Sequence, residues 1–129
     1  MDRKFLITGA VFGLLSVIIG AFAAHGLKPL LDEAAINSFE TGVKYQMYHA
    51  LVFLLLGSVQ RKQFNFRKQV FFLLLLGVIC FSGSIYLLAT NALTPIDFSG
   101  IALVTPLGGM LLIVAWVFLI IEFVKIKHK

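Results

Sequence analysis

The stretch FLITGAVFGLLSVIIGAFAAHGL, residues 5–27, decides the fold of this chain. It contains no Asp, Glu, Lys or Arg, and it exceeds the roughly 20 apolar residues that a helix needs to cross a bilayer core of about 30 Å. Three further predominantly apolar stretches follow, at about 43–59, 70–89 and 101–124. The sequence therefore predicts an all-α membrane protein with four transmembrane helices.

The composition supports lipid as the solvent of this chain. Of its 129 residues 60% are hydrophobic, and the mean hydropathy is +0.98, whereas an ordinary soluble domain is about 45–50% apolar. Four spans use most of the length, so we expect one integral membrane domain over residues 1–129. A cleaved signal peptide ending near 21–23 is the alternative for the first stretch, but that stretch is longer than the usual apolar region of about 7–15 residues.

The distribution of basic residues predicts the orientation. Nine of the 11 Lys and Arg residues lie at the two termini or in the middle connection. These nine are Arg3, Lys4, Arg61, Lys62, Arg67, Lys68, Lys125, Lys127 and Lys129. Lys28 and Lys44 alone fall on the other side, so the positive-inside rule predicts that both termini are cytoplasmic. We expect a multi-pass protein of the cell membrane.

The net charge of +5 does not indicate nucleic-acid binding. The basic residues form clusters beside the spans, without the soluble fold or interleaved aromatic residues that a nucleic-acid surface needs. Anionic membrane lipids are the partners that such clusters favour.

The first outer connection, residues 30–44, has apolar residues spaced among acidic ones, which predicts a short amphipathic helix on the outer interface. Asp32 and Glu33 suit its amino-terminal end. It either covers a pocket or connects the first two spans, and the connector is the simpler interpretation.

Small residues predict close helix contacts in three spans. They are Gly9, Gly13, Ser16, Gly20 and Ala24, then Gly77, Cys80 and Ser84, then Gly108 and Gly109.

Polar side chains from all four spans lie toward the outer surface, and the inner halves of the spans are almost wholly aliphatic or phenylalanine. The candidate ligand-binding residues are His25, Gln46, His49, Ser82, Tyr86 and Thr105. This one-sided distribution argues against a continuous polar channel within one subunit, since pore-lining groups should continue along the path. It predicts an outward-facing pocket that binds a lipid headgroup or another amphipathic small molecule.

Structural interpretations stand beside this hypothesis. The tyrosines suit an interfacial aromatic belt, His25 suits a helix end, and His49 suits a bond between helices. A metal site built from His25 and His49, with Glu40 or Asp97, falls short of a recognisable ligand set. The sequence carries no catalytic signature, so we expect no metal and no cofactor, and a membrane enzyme that uses His49 as a general acid or base is the least favoured function.

Four motifs carry a resemblance to a known family: GAFAAHGL at 20–27, YQMYHAL at 45–51, FSGSIY at 81–86 and TPLGG at 105–109, followed by Trp116. In this order they resemble the small multi-pass membrane proteins of family four-two-three among the domains of unknown function, which includes small eukaryotic transmembrane proteins. The resemblance covers nearly the whole chain, with Ala23 standing where the family pattern has Gly. It implies a topology and no particular activity.

Two functions remain as alternatives to ligand binding. One is a small transport or assembly subunit that works as a homo-oligomer, with any polar path at the axis between subunits. The other is a purely structural membrane bundle.

Overall fold

The computed structural model describes residues 2–59 and 64–126, and helices are the only regular elements in these two segments. The four long helices are α1 (Arg3–Phe22), α2 (Glu33–Ser58), α3 (Arg67–Ala89) and α4 (Val104–Val124). A π-helical turn, Ala23–Leu27, extends α1, and two 3-10 turns, Asn91–Leu93 and Ser99–Ile101, lie between α3 and α4. Four residues of the charge argument lie outside the described segments: Arg61, Lys62, Lys127 and Lys129.

The end of α1 differs from the predicted stripe of small residues. Ala23 and Leu27 are buried, whereas Ala24 and His25 are exposed. Burial follows the steps from Gly20 to Ala23 and then to Leu27, and His25 is two residues from both buried positions. Two residues along the helix are close to half a turn, so His25 lies on the opposite face.

Helix α2 replaces the separate outer helix and second span that the sequence predicted. It runs without a break for 26 residues, about 39 Å, from an amino terminus where Asp32 Oδ1 accepts a hydrogen bond of 2.8 Å from the Ala35 N–H. Ile36 and Phe39 pack in a small core with Ala23 and Leu27 rather than lying on the interface. Their stripe continues at spacings of three and four residues into the second span, so nothing ends the helix.

The helices pack antiparallel in chain order, α1 on α2, α2 on α3 and α3 on α4. Glycines make the close contacts: a Cβ at Gly9 would lie 2.8 Å from the carbonyl oxygen of Ala50, and one at Gly57 would lie 2.9 Å from Phe5 Cβ. Between α3 and α4, a Cβ at Gly108 would overlap the backbone of Cys80 and Phe81. Close backbone approach supplies packing where lipid gives helices no hydrophobic drive to associate.

All four helices contribute to one apolar core. Its most buried members include Phe5, Phe53, Val70, Leu74 and Ala115. Phe5, Phe53 and Phe71 meet edge to face or tilted, with ring centroids 5.1 to 5.9 Å apart. This arrangement is favourable for aromatic pairs.

Three helical segments of the described chain are long and apolar enough to cross a membrane: Arg3–Leu27, Arg67–Ala89 and Ser99–Val124. Helix α2 differs because Lys44, Gln46 and His49 interrupt its apolar residues. We call the end of the molecule with the start of α1, the start of α3 and the end of α4 the basic end. The other end carries the π-helical turn and the connection between α3 and α4.

Candidate ligand-binding site

Gln46 links three helices at the centre of the candidate site. Its Nε2 donates to the carbonyl oxygen of Phe12 on α1 at 3.0 Å, and its Oε1 accepts from the hydroxyl of Tyr86 on α3 at 2.6 Å. The side chain is buried, so a donor and an acceptor each find a partner where no water competes. Gln46 and Tyr86 therefore meet, and their polar groups bond to each other and to the protein.

His49 is buried one turn further along α2, with both ring nitrogens engaged. Its Nδ1 lies 2.7 Å from the Tyr45 carbonyl oxygen, and the Trp116 indole N–H donates to its Nε2 at 3.2 Å. A carbonyl only accepts and an indole N–H only donates, so the two partners select the neutral tautomer with hydrogen on Nδ1. This ring positions α4 against α2, and its lone pair is already used.

Two serines of α3 make further polar contacts between helices. Ser82 is buried and donates to the carbonyl oxygen of Gly42 on α2 at 2.7 Å. Ser84 shares a short hydrogen bond with the hydroxyl of Thr105 at the start of α4. The Tyr86 ring packs beside Gly42, where a Cβ would lie 2.9 Å from the ring, so α2 and α3 approach closely at this level.

His25 stands apart from the other five predicted residues. It is exposed on the π-helical turn, and no hydrogen bond within residues 2–59 and 64–126 joins it to Gln46 or His49. Asp97, one of the two oxygen donors considered for a metal, lies in the connection between α3 and α4 and accepts from the Ser99 N–H at 3.0 Å. That backbone hydrogen bond lowers the pKa of the Asp97 carboxyl below its ordinary value.

An open groove of about 620 Å³ lies near this polar network, at the end opposite the basic end. The carboxyl-terminal part of α3 forms its floor, and the first turns of α2 and α4 form its walls. Its lining is mostly apolar, with four alanines, one isoleucine, one leucine and one proline, and it includes three residues that carry hydroxyl groups, Ser38, Thr41 and Thr105. No charged side chain is among the described residues that line it. The chemistry suits an amphipathic molecule with an uncharged, hydrogen-bonding head.

Thr105 is the one residue of the six predicted that also lines the groove. Ser38 and Thr41 were not predicted, because the sequence of their segment suits a connector. Glu122, which is wholly buried in α4, was not predicted either. An acidic residue inside an apolar span is itself a signal of a structural or functional role, and that signal could have identified Glu122.

Comparison with known families identifies the chain. Residues 19–109 match the family described as protein of unknown function (DUF423), which is more than half of the sequence. The chain belongs to this family. The predicted resemblance to family four-two-three is thereby confirmed, and the match includes the motifs at 20–27, 45–51, 81–86 and 105–109.

Relatives from several bacteria align with this chain over almost their whole length. A UPF0382 membrane protein of Staphylococcus haemolyticus is 41% identical over 95% of this chain and 97% of its own. The UPF0382 membrane protein YwdK of Bacillus subtilis is 34% identical, over 95% and 98%. The UPF0382 inner membrane protein YgdD of Escherichia coli is 32% identical, over 99% and 95%. No solved structure matches the fold at a significant level. The chain is thus an integral membrane protein of a family without an established molecular function.

Proposed function

We propose that this DUF423 protein is a four-span protein of the cell membrane that binds a neutral amphipathic molecule in the groove between α2, α3 and α4. The single observation that carries the proposal is the groove itself, which combines an apolar floor with three hydroxyl groups. Its volume of about 620 Å³ falls within the range of about 300–1,000 Å³ typical of small-molecule sites.

The packing of α2 along α1 supports a fourth span. Gly57 contacts Phe5 near the start of α1, and Gly20 near its end lies against Val43, where a Cβ would be 3.3 Å from Cγ1. Residues 43–57 of α2 therefore run beside the length of α1, and both helices cross the bilayer together. Gln46 and His49 are compatible with this depth because their polar atoms are bonded within the protein.

The charge distribution supports cytoplasmic termini, and the inner-membrane name of the Escherichia coli relative supports the cell membrane. With this orientation the groove opens toward the outer leaflet. The head of the ligand, for example a glycerol hydroxyl, hydrogen-bonds Thr105, Ser38 and Thr41. The apolar tail of the ligand contacts Ile85 and Leu88. Gln46, His49, Ser82 and Tyr86 act indirectly, because their bonds hold the walls of the groove in place.

A purely structural bundle is the second candidate. It is favoured by the same hydrogen bonds, since five of the six predicted site residues have partners inside the protein. The two candidates differ in whether the groove holds a ligand selectively.

The test fills the groove and measures what still binds. Ala34 is exposed and lines the groove, so Ala34→Phe occupies the space without disturbing the core. Ala10 is also exposed but lies on α1, and Ala10→Phe is the matched control. Both variants and the unaltered chain are reconstituted in phosphatidylcholine vesicles with a photoreactive monoacylglycerol, and native mass spectrometry counts chains and attached probe.

Proposed binding predicts that Ala34→Phe loses most of the probe labelling, whereas Ala10→Phe retains it. Labelled peptides should come from the start of α2, the end of α3 and the start of α4. Equal labelling of all three proteins, spread over lipid-facing helix surfaces, would refute the groove site and favour the structural bundle. The number of chains in the labelled species tests the homo-oligomer at the same time.

A further inference from the structure

A second cavity, of about 460 Å³, lies at the basic end, between the start of α1 and the start of α3. Its lining includes the side chains of Lys4, Arg67 and Lys68, together with the carboxylate of Asp2 and the rings of Phe71 and Phe72. Three cationic groups therefore face one carboxylate. The excess of positive charge, in a cavity walled partly by aromatic rings, selects an anionic group.

The local contacts hold these cations around the cavity. Arg67 Nη1 donates to Asp2 Oδ2 at 2.7 Å, which ties the start of α3 to the start of α1. Lys4 Nζ lies 5.6 Å and 6.0 Å from the ring centroids of Phe71 and Phe72, within cation–π range. Lys4 and Lys68 form no ion pair with another residue in the part of the chain that the structure describes. Their charges remain uncompensated by Asp2, which Arg67 engages.

An apolar groove continues from this cavity along the lipid-facing side of α3 and α4. It has a volume of about 510 Å³ and shares Lys68 and Phe72 with the cavity. Beyond them its walls are Leu73 and Leu76 of α3 and Val114 and Phe118 of α4. Leu76 lies one helical turn beyond Phe72, and Val114 one turn beyond Phe118, so the groove leads away from the charges toward the middle of the helices.

We propose that the basic end binds one anionic phospholipid, with its phosphate among Lys4, Arg67 and Lys68 and an acyl chain in the groove between α3 and α4. The elongated apolar groove and the positive charge of the cavity both favour this occupant. A phosphate alone contacts the cationic groups but leaves the apolar groove empty, whereas a neutral lipid fills the groove but brings no negative charge to Lys4 and Lys68. This site is distinct from the proposed outer groove in position, charge and ligand.

The first test separates a built site from general attraction to a negative surface. Lys68 lines both the cavity and the groove, whereas Lys125 lies at the same end over the Phe66 ring and lines neither. A basic residue near an anionic surface contributes a factor of about five to binding. In native mass spectrometry of the full chain titrated with phosphatidylglycerol in neutral detergent, Lys68→Gln should weaken the first bound lipid about fivefold, and Lys125→Gln less than twofold.

The second test concerns the acyl chain. Leu76 and Ile79 are both about half exposed on α3, but only Leu76 lines the groove. Leu76→Trp should reduce binding of the first phosphatidylglycerol, and Ile79→Trp should leave it unchanged. Phosphatidylcholine should compete poorly with phosphatidylglycerol, and inorganic phosphate should not displace it.

Three results would overturn the proposal. Equal effects of Lys68→Gln and Lys125→Gln would reduce the site to general surface charge. Displacement by inorganic phosphate at low concentration would identify a free-anion site instead. Unchanged binding to Leu76→Trp would remove the acyl chain from the groove.

Discussion

Replacing Gly9 by alanine tests the α1–α2 contact on which the four-span arrangement rests. The new methyl group would meet the Ala50 carbonyl oxygen at 2.8 Å and Phe53 Cβ at 2.9 Å, and both are parts of the chain that cannot rotate away. Forcing the helices apart costs about 1–3 kcal/mol. Alanine recovers about 0.5–1 kcal/mol over glycine within a helix. We therefore expect Gly9→Ala to destabilise the protein by up to about 2.5 kcal/mol.

Gly13 supplies the matched control on the same helix. A Cβ there would lie 3.9 Å from Ala50 Cβ, which is an ordinary van der Waals contact, so Gly13→Ala should be neutral or stabilising by about 0.5–1 kcal/mol. The gain in helix propensity is common to both variants and cancels in their difference, which isolates the packing cost. Unfolding by sodium dodecyl sulfate in mixed micelles, followed by circular dichroism, measures this difference. Equal stabilities, or a more stable Gly9→Ala protein, would refute the close approach of α1 and α2 at Gly9.

Two further predictions use the hydrogen bonds between helices. Tyr86→Phe should lower the free energy of unfolding by about 0.6–1.7 kcal/mol in the same assay. In a Gln46→Leu background this loss should largely vanish, because each change alone already removes the Tyr86–Gln46 hydrogen bond. Additive losses would contradict the bond. Burial raises the pKa of the Asp2 carboxyl, but its bonds to Arg67 and to the Lys4 N–H lower it more, so the pKa lies below its ordinary value of 3.8. The Asp2–Arg67 ion pair should therefore add about 1 kcal/mol to the free energy of unfolding at neutral pH, relative to Asp2→Asn. This difference should disappear as the pH falls below about 4 and through the folded-state pKa of Asp2. A constant difference between pH 7 and pH 3 would show that the ion pair is not the cause.

The sequence predicted the membrane class because apolar length is a strong and local signal. Helices α1, α3 and α4 begin and end close to the predicted limits, and the family assignment from the motifs is confirmed. The continuity of α2 was not predicted, because hydropathy divides this part of the chain into a polar segment and an apolar segment. Whether a helix continues depends instead on its stripe of buried residues, which here extends from the polar segment into the apolar one. Ile36, Phe39 and Gly42 belong to the same buried face as Gln46 and Phe53.

The candidate site was predictable only in part. The position of each residue along its helix predicted that Gln46 and Tyr86 lie at a similar depth. It did not predict which direction around the helix axis each side chain faces. His25 consequently faces away from Ala23 and Leu27, although it lies near the same end of the molecule. Which polar groups bond to one another also depends on rotation, so the sequence could not show that His49 meets Trp116 rather than an open pocket.

The distribution of satisfied polar groups restricts where any ligand chemistry of this protein can take place. Between the two ends, the middle of the molecule is filled by the fully buried Phe53, Leu74 and Ala115. A polar solute crossing within one subunit would have to displace these side chains and also break the bonds of Gln46 or His49. Binding at the two ends needs neither change, because the outer groove and the basic cavity are already open. For transport to be the function, the path would have to run between subunits, along helix surfaces that a single chain leaves to the lipid.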